Sequence, residues 1–234
     1  MTPAERLQKL EQALQQSGSL RLRDAAALLG VSEMTVRRDL SRRDGPLSYL
    51  GGHIVSSRSL QGGAHYSLAQ EKDHFAQAKK RASQKALALI HEHDVIFIDC
   101  GTTLVHLARL IPDDLALTVV CYSLNTADIL KHKRALRLIV LGGTYMPSSD
   151  SFSGQEALNA LDQISFDTAF ISAGGVDEQT GISCWNLHEK DIKRRAMQRA
   201  KRRYLVVDSS KLGVRRHIHF ADVNQFDAVL TEQG

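Results

Sequence analysis

Residues 20–40 read LRLRDAAALLGVSEMTVRRDL, and the reading of this stretch settles how the first quarter of the chain is organised. Asp24-Ala25-Ala26-Ala27-Leu28-Leu29 is built of good helix formers behind an acidic first turn, and Gly30 supplies the stop. Ser32 is then placed to cap a new helix by accepting the backbone N–H of Thr35. An Ala-rich helix, a Gly-Val-Ser turn and a second helix predict a helix-turn-helix. Ala25 and Ala26 are small enough for the two helices to cross closely, and Val31, Val36 and Leu40 are spaced to face inward. Ser32, Glu33, Met34, Thr35, Arg37 and Arg38 are left for the other side. Arginine forks onto guanine edges or pairs with phosphate, and Ser and Thr hydroxyls hold phosphate. The same arginines would also serve a merely solvated helix, but turn, cap and basic face coincide, which favours DNA.

Working outward, Thr2-Pro3-Ala4-Glu5 has a cap, a proline suited to the first helical position and the acid of a capping box. Leu7, Leu10 and Leu14 follow on one face, with Gly18 as the stop, and Leu20 and Leu22 flank Arg21 in a short alternating run. Downstream, Arg42-Arg43 lead into two alternating runs around Gly51-Gly52, over residues 46–55. These predict a β-hairpin, the wing of a winged helix-turn-helix, and add Arg42 and Gly52 to the expected DNA contacts. The first 60 residues hold nine Lys/Arg against six Asp/Glu, so most of the net charge of +4 sits in this head. A basic head on a nearly neutral body suits nucleic acid.

The expected division is a DNA-binding domain over 1–57, a polar linker over 58–72 and an α/β domain over 73–234. A helix with Phe75, Ala82, Ala86 and Leu89 on one face opens the large domain. Short apolar runs at 95–98, 117–121, 136–141, 168–171 and 204–207 then alternate with helical segments, predicting a mostly parallel sheet covered on both faces. Ligands bind such sheets beyond the carboxyl ends of the strands. The residues there are Asp99-Cys100-Gly101-Thr102-Thr103, then Tyr122, Ser123 and Asn125, then Gly142-Gly143, then Gly174-Gly175 with Asp177. Gly101 and the two threonines at a helix start make an anion cradle suited to phosphate, although DxGTT serves equally as an ordinary capped turn. Four small or polar exits on one sheet edge predict a single pocket. Asn186, Glu189 and Lys211 are added to it, the lysine for phosphate and Glu189 or Asp177 for sugar hydroxyls. For most of Lys193–Arg195 and 201–203 a solvated helix surface is the preferred expectation, and for Cys100 and Cys184 a buried thiol near the pocket.

No apolar run approaches the roughly 18 residues of a membrane span, and no signal-like segment opens the sequence, so a cytoplasmic protein is expected. Three cysteines without CxxC spacing and ten histidines without HxxxH or HExxH suggest no disulfide framework, metal or other cofactor.

The VSxxTxRRDL helix and Gly-Gly wing resemble the DNA-binding segment of the DeoR family of sugar-operon repressors. The likeness continues through Asp99–Thr103, the LGG turn at 141–143, Glu189 with Lys193, and DSSKxG at 208–213. It implies a sensor domain with the ribose-5-phosphate isomerase fold, a small sugar-phosphate effector, operator DNA as partner and no enzymatic activity. Stretches VCYSLNT (120–126) and CWNL (184–187) resemble the deoxyribose branch, implying deoxyribose 5-phosphate as effector. Glu189, Asp177 and Lys211 look like isomerase catalytic positions, which keeps an isomerase-like enzyme with a DNA-binding appendage as the alternative. Against it, the isomerase DGAD stretch here is Gly174-Gly175-Val176-Asp177, one carboxylate short. Family members usually continue past FDAVLT with a further helix and strand, whereas this sequence ends at Gly234. One recognition helix reads few base pairs, so a homodimer or larger assembly is expected.

Overall fold

The computed structural model describes residues 2–17, 20–40, 47–50, 53–56 and 75–233, divided between two compact units, Met1–His65 and Tyr66–Gly234. Gly18, Arg42 and Gly52, and the expected linker over 58–72, lie outside the described residues.

In the first unit the order is α1 (Pro3–Ser17), β1 (Leu20–Arg21), α2 (Leu22–Leu29), α3 (Glu33–Leu40), β2 (Leu47–Leu50) and β3 (His53–Ser56). The capping box forms: Thr2 N donates to Glu5 Oε2 at 2.8 Å and Glu5 N to Thr2 Oγ1 at 3.3 Å. Gly30 takes φ 64°, the left-handed backbone that ends α2. The alternating run at 20–22 yields only two strand residues, because Leu22 already begins α2 and turns into the core. β2 and β3 pair antiparallel with Leu50 opposite His53, as the expected wing requires, and β1 adds to β3. Leu10, Ala25, Leu29, Val36, Leu47 and Ile54 fill the core between helices and wing.

Among the described residues a buried polar contact crosses this core. Asp39, on the inner side of α3, accepts from Arg6 Nε at 2.6 Å and Arg6 Nη2 at 3.0 Å, and both residues are buried. A two-point fork fixes orientation as well as distance, so α1 sets the pitch at which α3 presents its outer face.

The second unit runs α4 (Ala76–Leu87), β4 (Val95–Ile98), α5 (Thr102–Leu110), β5 (Leu117–Cys121), α6 (Leu124–Leu130), β6 (Leu136–Val140), β7 (Thr144–Met146), β8 (Ser151–Ser153) and α7 (Gln155–Asp162). It continues with β9 (Phe166–Ile171), β10 (Gly175–Asp177), β11 (Gly181–Cys184), α8 (Leu187–Gln198), β12 (Ala200–Val206), β13 (Ile218–Ala221) and β14 (Ala228–Leu230). Six strands form a parallel sheet in the order β14-β12-β9-β4-β5-β6. Its central strands β4 and β5 are almost wholly apolar because both faces are covered: Phe97 and Val120 pack toward one core, Ile96, Ile98 and Val119 toward the other. A smaller antiparallel sheet, β10-β11-β13, and the β7-β8 hairpin complete the unit. Phe75 departs from expectation: it precedes α4 with φ 58° and is exposed, and Lys79, Ala82, Ser83 and Ala86 carry the buried face.

Arg6→Ala and Asp39→Ala should each lower the melting temperature of the DNA-binding unit, and the double variant should lose much less than the sum, since either single change already breaks the fork. Thermal denaturation of the four chains followed by circular dichroism is the check.

Candidate functional site

Two sets of residues carry functional chemistry, one in each unit. On α3, Glu33, Met34, Arg37 and Arg38 are exposed, Met34 to 74%, while Val36, Asp39 and Leu40 are buried beneath them. Ser32 caps the helix, its Oγ accepting Thr35 N at 3.2 Å and lying 3.0 Å from Thr35 Oγ1. The helix therefore presents a basic, polar side of the kind that enters a major groove.

In the second unit strand order decides where a ligand fits. The chain moves from β4 to β5 and β6 on one side, then returns to β9, β12 and β14 on the other. The sheet thus reverses between β4 and β9, and the loops leaving those strands diverge to open a crevice. Gly101, Thr102 and Thr103 face Ser172, Ala173 and Gly174 across it, and Glu189, Lys193, Lys211 and Trp185 close the sides. Gly101 is obligatory at this approach, because a Cβ there would fall on the Ser172 hydroxyl. Thr102 begins α5, so the leading N–H groups of the helix, with their partial positive charge, border the recess.

Beneath it lies a polar cluster sealed from water. Asp99 is fully buried: Oδ2 accepts from Ser172 N at 2.8 Å, Ser172 Oγ at 2.5 Å and Lys193 Nζ, and Oδ1 from the Tyr122 hydroxyl at 2.5 Å. Lys193 also donates to Ser172 O at 3.2 Å and lies 3.4 Å from Glu189 Oε2. Glu189 Oε1 accepts from Asn186 Nδ2 at 2.6 Å. Burial alone would lift Asp99, but the Lys193 ammonium and the hydrogen bonds hold it below the usual aspartate range. Burial pushes Lys193 down, yet Asp99, Cys100 and Glu189 hold it well above the usual lysine range. Lys193 is thus a fixed cation rather than a base or nucleophile. Burial pushes the Cys184 thiol up to about 12 and Cys100 well above its ordinary value, so both line the recess as inert thiols.

Several expected residues lie elsewhere. Tyr122 is wholly buried under the recess, and Ser123 caps α6, accepting Thr126 N at 3.5 Å. Asn125 lines a different groove beside β6, and Gly142 and Gly143 follow that outer strand. The reason is topological: only the β4 and β9 exits meet at the reversal, so two of the four exits converge. Gly175 is buried in β10, where a Cβ would strike Val214 O. Asp177 folds over its own turn, accepting Thr180 N at 2.7 Å and Thr180 Oγ1 at 2.8 Å. Asn186 acts behind Glu189.

The largest correction concerns Lys193, expected on a solvated surface and found 1% exposed. Its neighbours lie at the surface as expected: Arg194 is exposed, its Nε donating to Phe220 O at 2.7 Å, and half-buried Arg195 pairs with Asp162. The i, i+4 spacing of Glu189 and Lys193 was the available signal, but an exposed helix pair has the same spacing. Trp185 was missed altogether; it stacks under Arg216, whose guanidinium carbon is 3.9 Å from the ring centre. Among the described residues no group of three or more His, Cys, Asp or Glu is placed to hold a metal ion, and no helix is long and apolar enough to cross a membrane.

A winged helix-turn-helix on one chain with a parallel-sheet domain that has a polar recess at its reversal defines a DNA-binding regulator with a sensor domain. The chain belongs to the DeoR family: residues 6–46 match the DeoR-like helix-turn-helix domain and residues 74–233 the DeoR C terminal sensor domain. It is 41% identical over 229 residues to the deoxyribose operon repressor of Escherichia coli, covering 97% of this chain and 90% of that one. Among solved structures it is similar to eIF2B beta from Chaetomium thermophilum (TM-score 0.51, 15% identity, 68% of this chain and 52% of that one), a likeness of fold alone. Similarity to a D-ribose-5-phosphate isomerase in complex with phospho-erythronic acid has a TM-score of 0.44 at 19% identity, over 58% of this chain and 54% of that one.

Lys193→Met should destabilise the sensor unit by about 3–5 kcal/mol in denaturant unfolding, because Asp99 is left buried without its cation. A depressed carboxylate stabilises the fold above the ordinary aspartate value of about 3.9 and loses that contribution as pH falls through the folded value. Asp99→Asn is therefore expected to weaken the unit at neutral pH and to flatten its stability profile below about pH 4.

Proposed function

We propose that this chain represses a deoxyribose or deoxyribonucleoside catabolic operon in the cytoplasm, and that a sugar phosphate, deoxyribose 5-phosphate, releases it from operator DNA. α3 enters the major groove with Ser32, Glu33, Met34, Thr35, Arg37 and Arg38, assisted by Arg42 and the wing at Gly52. The phosphate sits on the helix start at Gly101, Thr102 and Thr103, with Lys211 as its mobile counter-charge, and Glu189 accepts from sugar hydroxyls. Asp99, Tyr122 and Asn186 hold those groups in place from behind.

The observation that supports this most directly is one recess in which a helix N-terminus, a lysine and a carboxylate meet. The first offers N–H donors to an anion, the second a charge and the third a hydroxyl acceptor, which together match a phosphorylated sugar. The 41% identical relative is named a deoxyribose operon repressor, which supports the operon class and, through it, the effector. The cavity now measures about 30 Å³, room for one or two water molecules. Binding a pentose phosphate therefore requires its wall to move, and Lys211 and Trp185 form the part of that wall carried by short connecting segments.

A second reading, isomerase activity, is favoured by Glu189 and Lys211, which share the recess. It is opposed by the pinned ammonium of Lys193 and by Gly174 where a second carboxylate would stand.

Gel shift with a palindromic operator fragment should show binding that fades as deoxyribose 5-phosphate is added, while ribose 5-phosphate conversion should stay at background. Arg38→Ala should weaken operator binding by about tenfold or more and leave the effector-induced rise in melting temperature intact. Lys211→Ala should reduce that rise and leave operator affinity unchanged. Release by no pentose phosphate would remove the effector; turnover lost in Glu189→Gln would establish the enzyme instead.

A further inference from the structure

β6 is the outermost strand of the parallel sheet, and among the described residues β5 is its only neighbour there. Leu141 N donates to Cys121 O of β5 at 2.8 Å. Backbone groups alternate in direction along a strand, so the N–H and C=O groups of Leu136, Leu138 and Val140 point away from the sheet, along its open edge. The same strand borders a groove of about 650 Å³ between the edge and α6, lined by Leu124, Leu138 and Val140. Leu124 is 40% and Val140 41% exposed. An open edge beside an apolar groove is a pairing surface.

Charge selects the occupant. α6 and α5 run antiparallel to the strands, so Arg109 lies where the groove meets the amino end of the sheet, beside a Lys131 whose charge is met by Asp128 at 2.6 Å. Asp150 lies at the carboxyl end, where its carbonyl accepts Leu124 N at 2.9 Å. A second copy related by a two-fold axis perpendicular to the strands reverses these ends. It sets each Asp150 against the partner's basic end and pairs Leu136 with Val140 about Leu138. A copy in parallel register would oppose like charges, and an unrelated surface would give an open chain rather than a closed dimer. We infer that the β6 edge and its groove form a symmetric interface with a second copy of this chain, continuing the sheet across the two-fold axis through antiparallel β6–β6 pairing.

Sedimentation of the full chain over the micromolar range tests this independently of any effector. Wild type should run as a dimer or a multiple of one, and Val140→Asp and Leu124→Asp, both at exposed positions, should each raise the dissociation constant at least tenfold. Arg109→Asp should weaken association likewise, and adding Asp150→Arg to the same chain should restore it. This charge exchange keeps the test decisive should an apolar-to-acid variant fail to fold. A monomeric wild type, an extended peptide of another protein as sole occupant of the edge, or unchanged mass in all variants would overturn the interface.

Discussion

Lys193 and Asp99 meet where water cannot reach, and a buried ion pair persists only when each remaining proton and lone pair is also occupied. Here that condition recruits four elements. Asp99 ends β4, Ser172 ends β9, Tyr122 follows β5 and Lys193 comes from α8, and each supplies a contact the others cannot. Any shift of one strand end against another would leave a charge exposed to low dielectric without its partner. The cluster therefore fixes the crevice between β4 and β9 to within the tolerance of a hydrogen bond. The recess above it inherits that rigidity on its floor, while its Lys211 and Trp185 side is carried by short segments.

The hydrogen bonds that order the floor also fix the charges it presents. Burial and mutual contacts hold the floor's lysine charged, its aspartate ionised and its thiols protonated. What it presents is a fixed electrostatic pattern. On the proposed reading, that pattern is what a charged polyol would meet.

How much of this was legible in the sequence follows the range of the forces involved. The head was readable nearly residue by residue, because caps, turns and helical faces are local: Thr2, Gly30, Ser32 and Val36 do in the structure what their immediate neighbours imply. The strands were readable too, as apolar runs covered on both faces. Strand order was not, since the sequence gives no sign that β9 rather than β5 shares the crevice with β4. Asn125 and Gly142 were therefore expected at a recess whose lining does not include them, and Tyr122 lies beneath it rather than in it. Lys193 was misjudged for a related reason: burial of a charge depends on partners 94 and 4 residues away, and only the nearer is visible in a helical repeat. Phe75 shows the reverse failure, an apolar residue in helical register that begins one position before the helix does.

The small volume of the recess bears on how occupancy could release DNA. A ligand shifts an equilibrium only by the difference in its affinity for the two states. If the closed recess admitted the effector unchanged, no difference would arise and no signal would leave the site. A cavity of about 30 Å³ is small for a pentose phosphate, so on the proposed reading bound and unbound sensors differ in the wall around it. The proposed coupling then needs only that operator-bound chains favour the closed arrangement. A differential of 1–3 kcal/mol, typical of such coupling, corresponds to a roughly 5- to 150-fold change in operator affinity, enough to clear an operator without dismantling the ion pair that anchors the floor.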